Sequence, residues 1–172
     1  HYRKDGSSYL AEIHVSAISL GGRPAMLAFA LDISERAERQ AEYEHIIKTA
    51  TEGFWLLDAS ARLVDANPAA ARMLGYTLEE LKSLRVSDID ATESVAETEA
   101  HLARLQMEGY GRFETRHRRK DGTLIDVEVS ASYLPLNQGR VFVFTRDITE
   151  RKQAEQERER LISAIEQSGE II

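Results

Sequence analysis

One short motif occurs twice in the sequence, each time where a strand-like run gives way to a charged, helix-like run. Residues 32–36 read Asp-Ile-Ser-Glu-Arg, and residues 147–151 read Asp-Ile-Thr-Glu-Arg. The turn sequence Arg-Lys-Asp-Gly also occurs twice, at 3–6 and at 119–122, so the repeat has a period of 115 to 116 residues. A fixed period indicates one structural unit that recurs along a chain. We therefore expect one complete unit flanked by parts of two others.

This repeat predicts five segments. They are the closing strands of an upstream unit (1–33), a helical linker (34–51), the complete unit (52–149), a second helical linker (150–167) and the start of a downstream unit (168–172). A unit of about 100 residues is large enough to bury a core without disulfides or metals.

The composition argues against several classes of protein. The chain has no cysteine, which rules out disulfides, thiolate metal sites and cysteine nucleophiles. Its net charge of −7 argues against nucleic acid as a partner. No apolar run approaches the ~18 residues of a membrane span, and no arrangement of carboxylates, histidines or glycines predicts a catalytic or metal site. We expect a cytoplasmic segment that is not an enzyme.

Local signals place the elements of the complete unit. Asn67-Pro68 is typical of a helix start, Gly75 of a helix end, and Thr77 with Glu80 of a capping box. Predicted strands at 53–58, 63–66, 112–118, 124–134 and 140–147 surround predicted helices at 69–74, 78–84 and 94–108. Because sequential hairpins pair and helices must cover an apolar face, this order predicts an α+β fold. We expect a five-stranded antiparallel sheet with helices on one face, flanked by linker helices.

The last two predicted strands differ in their faces. Between 124 and 134, apolar and polar residues alternate, as in a strand with one buried face. The final strand has Val141, Val143 and Thr145 on one side and Phe142 and Phe144 on the other, so both of its faces are apolar. An exposed apolar face requires a cover, which the linker helices or a second copy of the chain can provide.

Five pieces of sequence, taken in order, resemble a PAS domain with its trailing PAC motif. They are Glu52-Gly53 through Asp58, Asn67-Pro68 with Leu74-Gly75-Tyr76, Glu79-Glu80-Leu81, Arg119-Lys120-Asp121-Gly122 and Asp147-Ile148-Thr149. The resemblance spans residues 44–151. It implies a sheet that cups a small cavity, within a multidomain two-component-type sensor that is most often a histidine kinase or a diguanylate cyclase. The implied function is non-catalytic sensing, or mechanical relay to the C-terminal helix.

The repeated motif is itself a candidate signal-relay joint. The Thr149 hydroxyl can cap the following helix, and Asp147 favours the positive helix end and can reach Arg151. The upstream copy has Asp32, Ser34 and Arg36 in the same places. Two interpretations stay open: a plain helix start, or a clamp that passes movement of the sheet into the helix, as the resemblance implies.

Strand alternation assigns candidate lining residues to the implied cavity. They are Trp55, Leu57, Phe113, His117, Val127, Val129, Val143 and Thr145. His101, near the edge of the apolar face of its helix, is expected to be solvated. The cavity can hold a small apolar or weakly polar metabolite, or hold nothing in a purely mechanical domain. The alternatives are a heme- or flavin-bound redox or gas sensor and a dimerisation spacer without ligand.

The helix after residue 150 predicts a partner. Ala154, Arg158, Leu161 and Ile165 have the 4-3-4 spacing of a two-stranded helical seam. Together with the two phenylalanines of the last strand, Leu161 and Ile165 predict a homodimer. Adjacent PAS units and a C-terminal output domain of the same chain are the other expected partners.

Overall fold

The computed structural model describes residues 1–135 and 139–169, which fall into two compact units, His1–Ile47 and Lys48–Ile172. The first unit contains a hairpin followed by a helix. Its strands are β1 (Ala11–Leu20) and β2 (Arg23–Asp32), which pair antiparallel, and its helix is α1 (Ser34–Thr49).

A two-residue turn joins β1 and β2. Gly21 and Gly22 have φ angles of 57° and 78°. A type I′ hairpin turn requires positive φ at both central residues, and glycine adopts such angles without steric strain. The hairpin leaves many large apolar side chains exposed, namely Ile13, Val15, Ile18, Leu20, Met26, Leu27, Phe29 and Leu31.

Among its described residues, the second unit has five strands and five helices. The strands are β3 (Gly53–Leu57), β4 (Leu63–Ala66), β5 (Tyr110–Arg118), β6 (Leu124–Leu134) and β7 (Arg140–Asp147). The helices are α2 (Pro68–Leu74), α3 (Leu78–Leu81), α4 (Val86–Ile89), α5 (Val95–Glu108) and α6 (Thr149–Gly169). The sheet order is β4-β3-β7-β6-β5 and every pair is antiparallel, which confirms the predicted α+β fold.

Capping residues set the helix boundaries that the sequence indicates. The Asn67 side chain accepts a hydrogen bond from the Ala70 N–H at 2.9 Å and caps α2, which ends at Gly75 in the left-handed conformation. Ser94 and Glu97 form a capping box that starts α5. These contacts satisfy backbone groups that have no partner inside the helix.

Helix α4 is not predicted by the sequence signals. It is a single turn, and Arg85, which precedes it, is not a usual capping residue. The Asp88 side chain instead accepts a hydrogen bond from the Arg85 N–H at 2.8 Å. Of the expected downstream segment at 168–172, α6 includes 168 and 169, and residues 170–172 lie outside the described part of the chain.

The core lies between one face of the sheet and helices α2 to α5. Every second residue of β6 from Ile125 to Ala131 is buried, as its alternation predicts. The helices contribute the buried residues Leu74, Leu81, Ile89 and Leu105. At Gly53, β3 approaches α2 so closely that a Cβ atom would lie 2.9 Å from the Met73 Cε and 3.3 Å from the Ala70 Cα of that helix, and 2.6 Å from the Thr145 Oγ1 of β7.

Candidate functional site

A cavity of about 60 Å³ lies between the buried face of the sheet and helices α4 and α5. Of the candidates named from the sequence, it brings together Trp55, Leu57, Phe113, His117, Val129 and Val143. Val127 and Thr145 are buried but do not line it. Val127 packs in the core, and the Thr145 hydroxyl donates to the Gly53 carbonyl at 3.3 Å.

Nine further residues line the cavity that were not among the candidates from the sequence. They are Val86, Asp90, Glu93, Thr98, His101, Leu102, Leu105, Ala131 and Val141. Ala131 and Val141 extend the alternation of Val129 and Val143, so a sequence signal for them existed. Asp90 and Glu93 lie in the segment between α4 and α5, and no periodicity predicts where such a segment crosses the sheet.

His117 is the most deeply buried ionisable group at the cavity. Its side chain on β5 is 3% exposed, and its ring centroid lies 5.5 Å from that of Trp55. Burial lowers the pKa of His117 from 6.5 to about 4, although the nearby Asp90 carboxylate acts in the opposite direction. The imidazole is therefore neutral near pH 7. Its Nδ1 is buried and has no hydrogen-bond partner among the described residues.

Asp90 is held charged beside this histidine. Burial alone would raise the pKa of Asp90, but hydrogen bonds to its carboxylate lower it below the ordinary value. The donors are the Thr92 N–H and hydroxyl at 2.7 Å each, the Glu93 N–H at 2.9 Å and the Thr115 hydroxyl at 2.8 Å. The carboxylate thus has its acceptor sites occupied by the protein.

His101 lies at the cavity rather than in solvent, so the expectation of a solvated side chain is wrong. Its side chain is 17% exposed, and its Nδ1 lies 2.9 Å from the Glu93 carboxylate. Its ring centroid is 4.3 Å from that of Phe113. His101 lies at the edge of the apolar face of α5, and residues from other elements cover that edge.

The start of α6 forms a second site, centred on Asp147. One Asp147 oxygen accepts the Thr149 N–H at 2.9 Å, and the other lies 3.2 Å from the Arg119 guanidinium. The Nε of Arg119 donates to the Met73 carbonyl at 2.9 Å, near the C-terminal end of α2. Arg119 therefore joins α2, the β5–β6 hairpin and the first residues of α6. We call these contacts the Asp147 joint.

Two contacts expected at this joint are wrong. Asp147 pairs with Arg119, while Arg151 lies 2.8 Å from the Glu114 carboxylate on β5. The Thr149 hydroxyl accepts the Asp126 N–H of β6 at 3.0 Å instead of capping α6. Both differences arise because α6 starts against β5 and β6, whose closeness the local sequence does not reveal.

The upstream motif has the same local bonding. Asp32 accepts the Ser34 N–H at 3.0 Å and pairs with Arg3. The Ser34 hydroxyl accepts the Leu10 N–H at 2.9 Å, as the Thr149 hydroxyl does from β6. The remaining predicted residue of this copy, Arg36, is exposed.

The sequence model of the PAS domain family matches residues 51–150, which include the sheet, the cavity and the Asp147 joint. The chain belongs to the PAS domain family. Its PAS domain is a sensory and signalling module, and the relatives are named as sensors and histidine kinases.

Curated relatives are much longer than this chain. A methyl sulfide methyltransferase-associated sensor of Methanosarcina acetivorans is 34% identical over 93 residues, which are 54% of this chain and 9% of the relative. The cell-division control histidine kinase PdhS of Brucella ovis is 30% identical over 178 aligned residues, covering 89% of this chain and 17% of the kinase. The chain thus spans about a tenth to a sixth of their lengths.

Solved PAS domains have the same fold. The PAS domain of an HTR-like protein from Haloarcula marismortui matches with a TM-score of 0.62 and 22% identity, covering 66% of this chain and 95% of the other. A domain of a sensory box sensor histidine kinase/response regulator from Geobacter sulfurreducens matches with a TM-score of 0.60 and 26% identity, covering 67% and 99%.

The PAS cavity is too small for the large cofactors considered from the sequence. Its volume of about 60 Å³ is less than the ~150 Å³ of a cavity that holds benzene. Heme and flavin are many times larger and do not fit the cavity in this form. The described residues contain no cluster of three metal-ligating side chains, and none of their helices is long and apolar enough to cross a bilayer.

The residues expected at a dimer interface lie on the outer face of the PAS sheet and on α6. Phe142 is half-buried and Phe144 is 40% exposed. Their ring centroids lie 6.3 and 5.2 Å from that of Phe54, so the three rings form one aromatic cluster. Leu161 and Ile165 are exposed on α6.

Proposed function

We propose that this chain is a relay segment of a tandem-PAS signalling protein, in which the Asp147 joint passes changes in the PAS domain to α6. The observation that carries the proposal is the double contact of Arg119, with the Met73 carbonyl on one side and the Asp147 carboxylate on the other. A shift of α2 or of the β5–β6 hairpin would alter both contacts. Because Asp147 also binds the Thr149 N–H, the shift would reach the first turn of α6.

A second set of contacts supports rigid transmission at this point. Lys152 lies 2.9 Å from the Glu114 carboxylate and 3.1 Å from that of Asp126, on β5 and β6. Arg151 also pairs with Glu114. Side-chain ion pairs therefore hold the first turn of α6 to two strands. Movement of these strands would change the direction of α6 rather than be lost in a flexible connection.

The tandem arrangement rests on the repeated joint. The hydrogen bonds of Asp32 and Ser34 repeat those of Asp147 and Thr149, and Arg3 repeats Arg119. In this proposal, 1–33 closes an upstream PAS unit with its PAC motif, 34–51 and 150–167 are linkers, 52–149 is the complete domain, and 168–172 opens the next. Asp32, Ser34 and Arg36 would relay signal from the upstream unit.

The parent protein is proposed to be a cytoplasmic sensor histidine kinase, with a diguanylate cyclase as the alternative. The names of the relatives favour the kinase. The chain would act as a homodimer through Phe142, Phe144, Leu161 and Ile165, because these side chains give the outer sheet face and α6 an apolar surface. The input is proposed to be occupancy of the PAS cavity.

Substitution of the joint in the full-length parent tests the relay. Asp147→Ala and Arg119→Ala should each leave the domain folded, by circular dichroism, but uncouple autophosphorylation or cyclase output from the stimulus. Arg118→Ala is the matched control, because Arg118 is the exposed arginine that directly precedes Arg119, at the end of β5. Normal regulation in the Asp147 and Arg119 variants would refute the relay.

A further inference from the structure

The cavity contains a deeply buried polar group without a protein partner. His117 lines the cavity, is 3% exposed, and its Nδ1 has no hydrogen-bond partner among the described residues. A buried nitrogen left in this state destabilises a protein, because it has lost its hydrogen bond to water without gaining another. Such a group favours a bound molecule that supplies the missing hydrogen bond.

The charges around the cavity argue against an ionic ligand. Neither arginine nor lysine is among its lining residues, so an anion would face the carboxylates of Asp90 and Glu93 without a compensating cation. Asp90 already accepts four hydrogen bonds, and Glu93 already contacts His101. A cationic ligand would also meet the desolvation that keeps the imidazole of His117 neutral despite the neighbouring carboxylate.

Size and hydrogen-bonding capacity narrow the ligand further. The cavity volume of about 60 Å³ is below the ~150 Å³ of a cavity that holds benzene, which favours a small ligand. A neutral imidazole has one N–H donor and one nitrogen acceptor, and a hydroxyl group can satisfy either of them. The remaining wall includes Trp55, Phe113 and Leu105, which suit a short hydrocarbon part.

We infer that the PAS cavity recognises a small neutral molecule with one hydroxyl group, which hydrogen-bonds to His117 and places its hydrocarbon part against Trp55 and Phe113. This inference rests on the proposed sensory function and specifies its input.

The test compares four probes of similar size on the 172-residue chain: 2-propanol, isopropylammonium, acetate and xenon. Xenon reports cavity access without hydrogen bonding. Binding is followed by NMR through the indole N–H of Trp55, which is the sole tryptophan, and through the imidazole nitrogens of His117. We expect saturable binding of 2-propanol with a shift of the His117 nitrogens, binding of xenon, and at least tenfold weaker binding of both ions.

His117→Phe keeps an aromatic ring and removes both nitrogens. We expect it to bind 2-propanol several-fold to about tenfold more weakly, the effect of one lost hydrogen bond, while xenon binding persists. If this variant does not fold, the NMR shifts of the His117 nitrogens in the wild-type protein decide whether 2-propanol hydrogen-bonds to His117.

Several results would overturn the inference. The inference fails if either ion binds as tightly as 2-propanol, or if the folded His117→Phe variant binds 2-propanol as tightly as the wild type does. It also fails if 2-propanol saturates the protein without shifting the signals of the His117 nitrogens, or if it does not bind at all, whether or not xenon binds. None of these results tests the proposed relay, which the Arg119 and Asp147 variants test separately. Failure of those variants would equally leave the ligand result standing.

Discussion

The guanidinium of Arg119 lies 3.2 Å from the carboxylate of Asp147, although 28 residues separate them in the sequence. The two side chains are 37% and 35% exposed, so solvent screens their attraction and the pair alone stabilises the fold by less than about 1 kcal/mol. Its value lies in geometry, because the pair fixes the hairpin to the residue that binds the first N–H of α6. The same pairing of Arg3 with Asp32 recurs in the first unit.

Replacing Arg119 separates its two contacts. Lysine keeps a charge for Asp147 but cannot present the forked donors that also reach the Met73 carbonyl. We expect Arg119→Lys and Arg119→Ala to lower the free energy of unfolding by about 1 and 2 kcal/mol, and Arg118→Ala to change it by less than about 0.5 kcal/mol. Urea unfolding measures all three, and equal losses at 118 and 119 would contradict the assigned contacts.

The stability of the domain should depend on pH through His117. Its pKa is about 4 when folded and about 6.5 when exposed, so below pH 6.5 the unfolded state binds more protons. The contribution of the neutral, buried imidazole to the free energy of unfolding is fully present above pH 6.5. It is lost as the pH falls from 6.5 towards 4, at up to about 1.4 kcal/mol per pH unit.

The His117→Phe variant isolates this effect from the carboxylates that titrate in the same range. The difference in unfolding free energy between wild type and variant should change between pH 7 and 4.5, with the wild type losing more. A constant difference would show that His117 titrates normally in the folded protein.

Gly53→Ala tests the close approach of β3 to α2. The added Cβ would lie 2.9 Å from the Met73 Cε and 3.3 Å from the Ala70 Cα, so strand and helix must separate, and 2.6 Å from the Thr145 Oγ1 of β7, which must also shift. We expect a loss of about 1–3 kcal/mol, typical of overpacking. Gly111→Ala is the control, since its Cβ meets only the Leu105 Cδ1, at 3.3 Å. The melting temperature of the Gly53→Ala variant should lie well below that of the Gly111→Ala variant.

The aromatic cluster on the outer sheet face should mediate self-association. Replacing Phe142 and Phe144 together with glutamate places two like charges on that face, and we expect light scattering to report monomers. The matched control replaces both residues with leucine, which preserves the apolar surface and should preserve dimers. Dimers in the glutamate variant would place the contact elsewhere, most simply along α6.

Local signals in the sequence predicted much of the domain. The alternation from Ile125 to Ala131 identified the buried face of β6, and the caps at Asn67 and Thr77 identified helix starts. Each of these features depends on residues within a few positions of one another. Helix α4 was missed because a single turn without a usual cap has too few residues for a pattern.

The sequence by itself determined the order of the elements apart from α4, the repeated motif and the family. Only the tertiary structure decided that Asp147 pairs with Arg119, that the Thr149 hydroxyl binds β6, and that Asp90 and His101 reach the cavity. The physical reason is that these partners belong to different elements. Local periodicity and capping describe how each element forms, whereas such contacts depend on how the elements pack.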